Sequence, residues 1–374
     1  MRVLFINEVC GTGSTGKITC ELAEDYEREG HEVKIAYGRS SFVPEKYRRF
    51  AVQIGSKFDV YAHALLTRLT DRHGFYSKHA TRKFLRWANS YNPSFLWLHN
   101  IHGYYINIEL LFDWIKSREN IKVFWTLHDC WSFTGHCAFF TMAKCEKWRV
   151  RCKNCPQKNS YPKSFHDGSY ENYEAKRRIF SGVHDMRIIT PSQWLADLVK
   201  QSFLSEYPVE VRNNKIDTNI FKPSPSDFRE KYNLTGKFIV LGVASVWDKR
   251  KGLEDFVKLS GMLDPEKFAI FLVGLKPEQI KTLPKNILAI SRTNNQRELA
   301  EIYTAADVFF NPTYEDNYPT VNLEAEACGT PVLSYDTGGS PETLHDVNSR
   351  VIKTGDIDSA RKIIIASSAG MHQV

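Results

Sequence analysis

Short apolar runs alternate with amphipathic stretches along almost the whole of this 374-residue chain. In the first half the runs are Val3–Ile6, Val33–Tyr37, Phe95–Leu98, Lys122–Leu127 and Arg187–Thr190. In the second they are Phe238–Val243, Ala269–Val273, Ile287–Ile290, Val308–Asn311 and Pro331–Ser334. Helical stretches lie between them, among them Ile18–Arg28, Ile108–Ser117, Leu253–Leu263, Arg297–Ala305 and Val321–Ala327. Continuous apolar strands joined through helices demand parallel sheets covered on both faces. The chain is too long for one ordinary core, and prolines at 208, 223 and 225 interrupt the pattern near its middle. The expectation is therefore α/β: two doubly wound, Rossmann-like domains facing across a cleft, residues 1–205 and 206–374.

Ligands of such sheets sit outside the carboxyl ends of the strands. Polar residues cluster where those ends should lie. His99-Asn100-Ile101-His102-Gly103 follows one strand, His128-Asp129 the next, and Pro191-Ser192 a third. In the second half, Ala244 to Gly252 includes Lys249, Arg250 and Lys251, and Pro312 to Asn317 includes Glu315 and Asp316. Any one cluster could be turn chemistry; together they describe the lip of a binding site.

The first strand runs into Asn7-Glu8-Val9-Cys10-Gly11-Thr12-Gly13-Ser14-Thr15-Gly16-Lys17-Ile18-Thr19. This nearly satisfies G-x-x-x-x-G-K-[ST], but Ile18 stands where a magnesium-binding hydroxyl is required. A triphosphatase loop is disfavoured on that ground. The remaining readings are a glycine turn that lets backbone approach a phosphate, and a tight helix-capping turn.

Charged residues make up 25% of the chain, as in an ordinary globular protein, and no apolar window is long enough to span a bilayer. The start, MRVLFINEV, lacks the features of a signal peptide, which argues for a cytoplasmic protein. The net charge of +7 is concentrated between Lys46 and Trp87, where ten Lys and Arg meet two Asp and are interleaved with Tyr61, Leu65, Leu66, Leu69, Phe75, Phe84 and Leu85. Such a stretch suits a solvated helix face, an anionic membrane surface or a polyanion. No nucleic-acid-binding motif accompanies it, so nucleic acid is not an expected partner.

Residues 130–160 form a cysteine-rich insert after His128. Cys137, Cys145, Cys152 and Cys155 could hold a structural zinc, with Cys152-x-x-Cys155 as a ligand pair. Free buried thiols are the competing reading, and disulfides are disfavoured in a cytoplasmic protein.

The most specific stretch is Glu315-Asp316-Asn317-Tyr318-Pro319-Thr320-Val321-Asn322-Leu323-Glu324-Ala325-Glu326-Ala327-Cys328-Gly329-Thr330-Pro331-Val332. It resembles the carboxylate–x7–carboxylate and E-A-x-A-C-G-x-P-V signature of retaining glycosyltransferases of family 4, which have the GT-B fold. Asn213 to Pro223 is similar to the family's N-G-V-D-x-x-x-F-x-P segment, Arg250-Lys251-Gly252 to its K-G motif, Thr337 to Glu342 to its G-G-x-x-E loop, and His128-Asp129 to its H-D. Two positions depart from the pattern: Asp316 stands where the family usually has Glu, and Ser245 where it favours Arg.

The resemblance implies transfer of a sugar from a UDP- or GDP-sugar to a glycan or lipid-linked acceptor, at the inner face of a bacterial membrane, for capsule, exopolysaccharide or O-antigen. No cofactor is implied for catalysis. Negative charge grows on the departing diphosphate, so cations and backbone N–H groups should point at it. Lys251, helped by Lys249 or Arg250, can supply the cation. The helix starting near Thr320 can supply N–H groups, with Asn317, Tyr318 and Pro319 leading into it. Glu324 can accept from the ribose hydroxyls, and Asp316, or Glu315 beside it, from the sugar. Gly13 and Ser14 would approach the donor, and His128 and Asp129 the reacting sugar. His99, Asn100 and His102 would lie on the acceptor side. A GT-B protein that binds nucleotide sugar without turning it over, and a P-loop-type hydrolase, are the alternatives.

Overall fold

The computed structural model describes residues 1–39 and 42–370. The chain separates into two compact units, Met1–Asn213 and Asn214–Val374. The first contains seven strands, β1 (Arg2–Ile6), β2 (Glu32–Tyr37), β3 (Ala51–Gln53), β4 (Phe95–Leu98), β5 (Lys122–Thr126), β6 (Met186–Thr190) and β7 (Val209–Val211). Helices α1 (Gly13–Arg28), α2 (Lys57–Thr70), α3 (Lys78–Tyr91), α4 (Ile108–Lys116), α5 (Ser169–Phe180) and α6 (Gln193–Lys200) accompany them. The sheet order is β3-β2-β1-β4-β5-β6-β7, and every pairing is parallel.

The second unit opens with the short α7 (Phe228–Lys231). It continues through β8 (Phe238–Val243), α8 (Leu253–Ser260), β9 (Phe268–Val273), α9 (Pro277–Ile280), β10 (Ile287–Ile290), α10 (Gln296–Ala305) and β11 (Val308–Asn311). The signature helix α11 (Thr320–Ala327), β12 (Val332–Tyr335), β13 (Arg350–Ile352) and α12 (Ile357–Gly370) complete it. Its sheet is again all parallel, in the order β10-β9-β8-β11-β12-β13.

Alternation along single strands shows why both faces must be covered. In β1, Leu4 and Ile6 join the apolar cluster on one face, Val3 and Phe5 the cluster on the other. In β8, Phe238 and Val240 face one cluster, Ile239 and Leu241 the opposite one. A strand buried on both faces has no polar side to show, which is why these read as unbroken apolar runs. Three of the four edge strands, β3, β7 and β13, escape that rule. Each is three residues long and half-solvated, and the apolar pattern does not reveal them.

In each sheet the strand order reverses beside the first strand, between β1 and β4 and between β8 and β11. In doubly wound sheets such reversals, at the carboxyl ends of the strands, are where ligands bind. The clusters after β4, β8 and β11 fall at these two points, and those after β5 and β6 lie further along the first sheet.

Candidate functional site

In the second unit the turn after β8 and the turn after β11 are laced together. Asp248 caps the helical turn Lys249–Lys251, its carboxylate accepting from the Lys251 N–H at 3.0 Å. Gly252 then takes a φ of +72°, and a Cβ there would lie 2.2 Å from the Pro312 carbonyl oxygen. Glycine is therefore required both by the left-handed turn and by the close approach. Across this contact the Arg250 carbonyl accepts from the Tyr314 N–H at 2.7 Å, and the Arg250 guanidinium donates to the Glu315 carbonyl at 2.7 Å.

This lacing brings the Lys251 ammonium onto the Asp316 carboxylate as an ion pair, each side chain 18% exposed. Burial alone would raise the Asp316 pKa, but Lys251 and Arg250 outweigh it and hold the carboxyl below its ordinary value. Asp316 is thus the acid that faces the cation. Glu315 is buried, and Lys249 is exposed. The glycine loop closes over the same residue: Gly339 N–H donates to the Asp316 carbonyl at 3.3 Å, and a Cβ on Gly338, at φ +57°, would sit 1.8 Å from that oxygen.

Asn317 N–H donates to the Asp316 carboxylate at 2.9 Å, and buried Tyr318 and Pro319 lead into α11. Pro319 occupies the cap position, and no side chain caps this end. The first N–H groups of α11 are therefore available to an anion, and the helix dipole favours one. One turn on, Glu324 accepts from the Tyr303 hydroxyl at 3.2 Å. Below this surface runs a buried chain that the motifs did not announce. Asn311 donates to Asn322 at 2.8 Å, Asn322 to Thr343 at 2.8 Å, and Thr343 to the Ser340 carbonyl at 2.6 Å. It ties β11, α11 and the glycine loop into one frame.

In the first unit, Gly11 and Gly16 are fixed by packing. A Cβ on Gly11 would meet the Tyr47 ring at 2.7 Å, and one on Gly16 the Val9 side chain at 3.0 Å. Gly13 opens α1 at φ +64° with no atom within 4 Å of a Cβ, and Ser14 beside it is exposed. Close packing thus accounts for two of the three glycines, and the third faces open space; Thr12 holds the cap position of α1 without a side-chain cap bond.

The polar residues after β4 and β5 come together as two pairs. His99 Nδ1 lies 3.0 Å from His128 Nε2 with the rings stacked, and burial pushes both pKa values down, His128 to about 4. Both rings are neutral at pH 7, one N–H donating to the other's lone pair, and His99 Nε2 is left without a hydrogen-bond partner. His102 Nε2 lies 3.0 Å from Asp129 and its Nδ1 3.2 Å from the Tyr161 hydroxyl. Burial opposes charge on His102, but the Asp129 carboxylate more than compensates and raises its pKa. Asp129 is correspondingly held down, burial again being the opposing influence and His102 the main support. Asn100 is positioned by Asn7, whose side-chain oxygen accepts from its N–H at 3.3 Å.

Sequence reading missed the framework beneath these pairs. Fully buried Asp71 and His136 are joined by a hydrogen bond, and Lys176 donates from a buried position to the Trp131 and Thr134 carbonyls at 2.7 and 3.0 Å. Burial lowers the Lys176 pKa to about 7. Asp71, His136 and Lys176 sit 40 to 105 positions apart in sequence, and no local pattern links them.

The cysteine insert contains free thiols. Cys137 and Cys155 share a hydrogen bond, and Cys152 sulfur accepts from Gly135 N–H at 3.2 Å while burial raises its pKa to about 12. Among the described residues no group of three or more His, Cys, Asp or Glu is arranged to hold a metal ion, the set Cys137, Cys145, Cys152 and Cys155 included. The stretch Lys46–Trp87 also divides. Phe75, Phe84 and Leu85 are buried and Trp87 stacks on Tyr91, whereas Phe58, Tyr61, Leu65, Leu66 and Leu69 of α2 are exposed. Among the described residues no helix is long and apolar enough to cross a membrane.

A family model described as Glycosyltransferase Family 4 matches residues 15–220, and one described as Glycosyl transferases group 1 matches residues 225–368. The chain belongs to the family 4, group 1 glycosyltransferases. WcaC of Escherichia coli K12, a glycosyl transferase named for colanic acid biosynthesis, is 23% identical over 96% of this chain and 88% of its own length. The fold is GT-B. Sucrose-phosphate synthase from Thermosynechococcus elongatus superposes with a TM-score of 0.71 at 15% identity, over 98% of this chain and 90% of that one. HepE of Anabaena, solved with UDP-glucose bound, gives 0.67 at 15% identity, over 100% and 91%.

Proposed function

We propose that this glycosyltransferase moves a sugar from a UDP- or GDP-sugar to a glycan or lipid-linked acceptor in bacterial surface polysaccharide synthesis, with retention at the anomeric carbon and without a cofactor. The observation that carries the reading is the Lys251–Asp316 pair beside the uncapped start of α11, with Glu324 one turn further along. That is a cation, a set of N–H donors and two carboxylates on one small surface, which matches a diphosphate flanked by a ribose and a sugar. The similarity to WcaC supports the polysaccharide setting, and HepE's UDP-glucose supports the donor class.

In this reading Lys251 and the α11 N–H groups neutralise the charge that grows on the leaving diphosphate. Glu324 holds the ribose hydroxyls, and Asp316 holds the sugar hydroxyls while keeping Lys251 in place. Arg250 acts through backbone, fixing the Glu315 carbonyl. His128, being neutral, contributes a hydrogen bond rather than a proton, and Asp129 favours the charged form of His102. His99, Asn100 and His102 orient the attacking hydroxyl, whose proton passes to the departing phosphate oxygen. Gly13 and Ser14 offer backbone to the donor. The basic α2–α3 region brings the chain to an anionic membrane face.

Thermal stabilisation by UDP, GDP and their sugars tests the donor class, since a specific ligand raises the melting temperature by mass action. NMR of the product's anomeric linkage tests retention. No shift with any nucleotide would remove the reading. A shift without sugar transfer or donor hydrolysis would select a binding protein instead, the outcome that Asp316 and Ser245 keep in view.

A further inference from the structure

Helix α2 turns its apolar side outward. Phe58, Tyr61, Leu65 and Leu69 are 79%, 73%, 61% and 53% exposed, and Leu66 beside them 39%. Their spacing of three, four and four places them on one stripe of the helix. The opposite stripe anchors the helix. Thr67 and His63 are buried there, and His63 takes the Gly74 N–H at 3.1 Å and pairs with the Ser77 hydroxyl at 2.8 Å. At the far end Phe165, 68% exposed, extends the apolar surface: its N–H donates to the Arg68 carbonyl at 2.8 Å, and the Arg68 guanidinium lies 5.8 Å from its ring. A contiguous exposed stripe of large apolar residues on an otherwise well-anchored helix marks an interaction surface.

The charges around it select the partner. Lys57 and Arg68 flank the stripe, and α3, whose cap residue Ser77 touches α2, exposes Lys78, Arg82, Lys83 and Arg86 and carries no acidic residue. The two carboxylates of the region are committed elsewhere, Asp59 to the capping box with Ser56 and Asp71 to His136. We infer that α2 is a membrane-docking helix. It lies flat on an anionic bilayer with Phe58, Tyr61, Leu65, Leu69 and Phe165 among the acyl chains and the surrounding Lys and Arg on the headgroups. A second copy of the chain is a poorer partner, because a symmetric contact through this stripe would set two cationic rims against each other. The inference rests on the membrane contact of the proposed function and names the surface and its mode: insertion, with charge as the rim.

Flotation of the full chain with phosphatidylcholine vesicles, with and without phosphatidylglycerol, tests it. Wild type is expected to float with the anionic vesicles, and a Tyr61→Trp variant to show a blue-shifted emission on binding. Combining Phe58→Ser, Leu65→Ser and Leu69→Ser should weaken binding at least about tenfold without changing the melting temperature or the stabilisation by nucleotide. Lys57→Ser with Arg68→Ser should remove mainly the salt-sensitive part of binding. Equal flotation of the triple variant, no flotation of wild type, or binding without a blue shift would each overturn the inference. So would a wild-type dimer that the triple variant makes monomeric without any vesicle binding. The two readings fail separately. A chain that answers to nucleotide but not to vesicles loses the docking helix and keeps sugar transfer. One that floats with anionic vesicles but answers to no nucleotide keeps the helix and loses sugar transfer.

Discussion

At the carboxyl ends of the second sheet, most of the interacting side chains come from three short stretches, Asp248 to Gly252, Asn311 to Glu324, and Thr337 to Thr343, with Tyr303 added from α10. At the first sheet they come from Asn7, the loop His99–His102, the pair His128-Asp129, and distant Tyr161, over a base of Asp71, His136 and Lys176. The second site is built around an ion pair that stays partly solvated, the first around buried imidazoles that mostly stay neutral. In the proposed function the diphosphate is the same in every donor, so its site can be a compact, repeated motif. The first unit, assembled from remote residues, has no such signature.

The comparison breaks most directly at Lys251. Lys251→Met removes the cation facing Asp316 and should lower kcat/KM by about 10²–10³-fold. The melting temperature should fall as well, because Asp316 is left as a mostly buried carboxylate without its main cation. Steady-state kinetics on a UDP- or GDP-sugar measure this. If Lys251→Met were nearly silent while His128→Gln abolished turnover, the working cation would have to be sought in the first unit.

Gly338→Ala tests whether the glycine loop is a fixed frame. With φ at +57° and the Asp316 carbonyl in the way, the loop must move off Asp316. A cost of about 2–4 kcal/mol in unfolding, together with loss of nucleotide-induced stabilisation, is expected. Normal nucleotide binding in this variant would show that the loop is dispensable.

Acid should separate the units. His128 and His63 are depressed from 6.5 to about 4 and about 3, and His99 and His73 well below 6.5, in each case chiefly by burial. A depressed histidine contributes stability that is complete above 6.5 and lost as pH falls toward its folded value. His102 has the opposite sign: its raised pKa favours the fold at low pH, and that contribution fades as pH rises through it. Four depressed groups outweigh one, so the first unit should lose stability progressively below about pH 6.5. Tryptophan fluorescence against pH follows it, since Trp97, Trp125 and Trp131 lie in that core. Simultaneous acid unfolding of both units with a midpoint below about pH 3 would contradict the assignment.

The smallest effect is expected at Tyr303. Tyr303→Phe deletes the hydroxyl donating to Glu324 and should raise the donor KM a few-fold, about 1 kcal/mol, with kcat nearly unchanged. A fall in kcat with KM intact would move Glu324 from ribose binding to the chemical step.

The residues by themselves determined the layered α/β architecture, ten of the thirteen strands described, and the polar turns after β8 and β11. They could do so because a strand buried on both faces must be apolar throughout, and because a turn that approaches a ligand needs glycine, cations and carboxylates at fixed short spacing. Only the tertiary structure decided that Asp316 rather than Glu315 meets Lys251, that His99 pairs with His128 and His102 with Asp129, and that Lys176 is buried. It also decided that Phe58, Tyr61, Leu65, Leu66 and Leu69 of α2 face outward while Phe84 and Leu85 of α3 face inward, although all lie in one basic, aromatic stretch. Those outcomes depend on which remote elements pack against a residue, and hydrophobic periodicity fixes the stripe on a helix without fixing what the stripe meets.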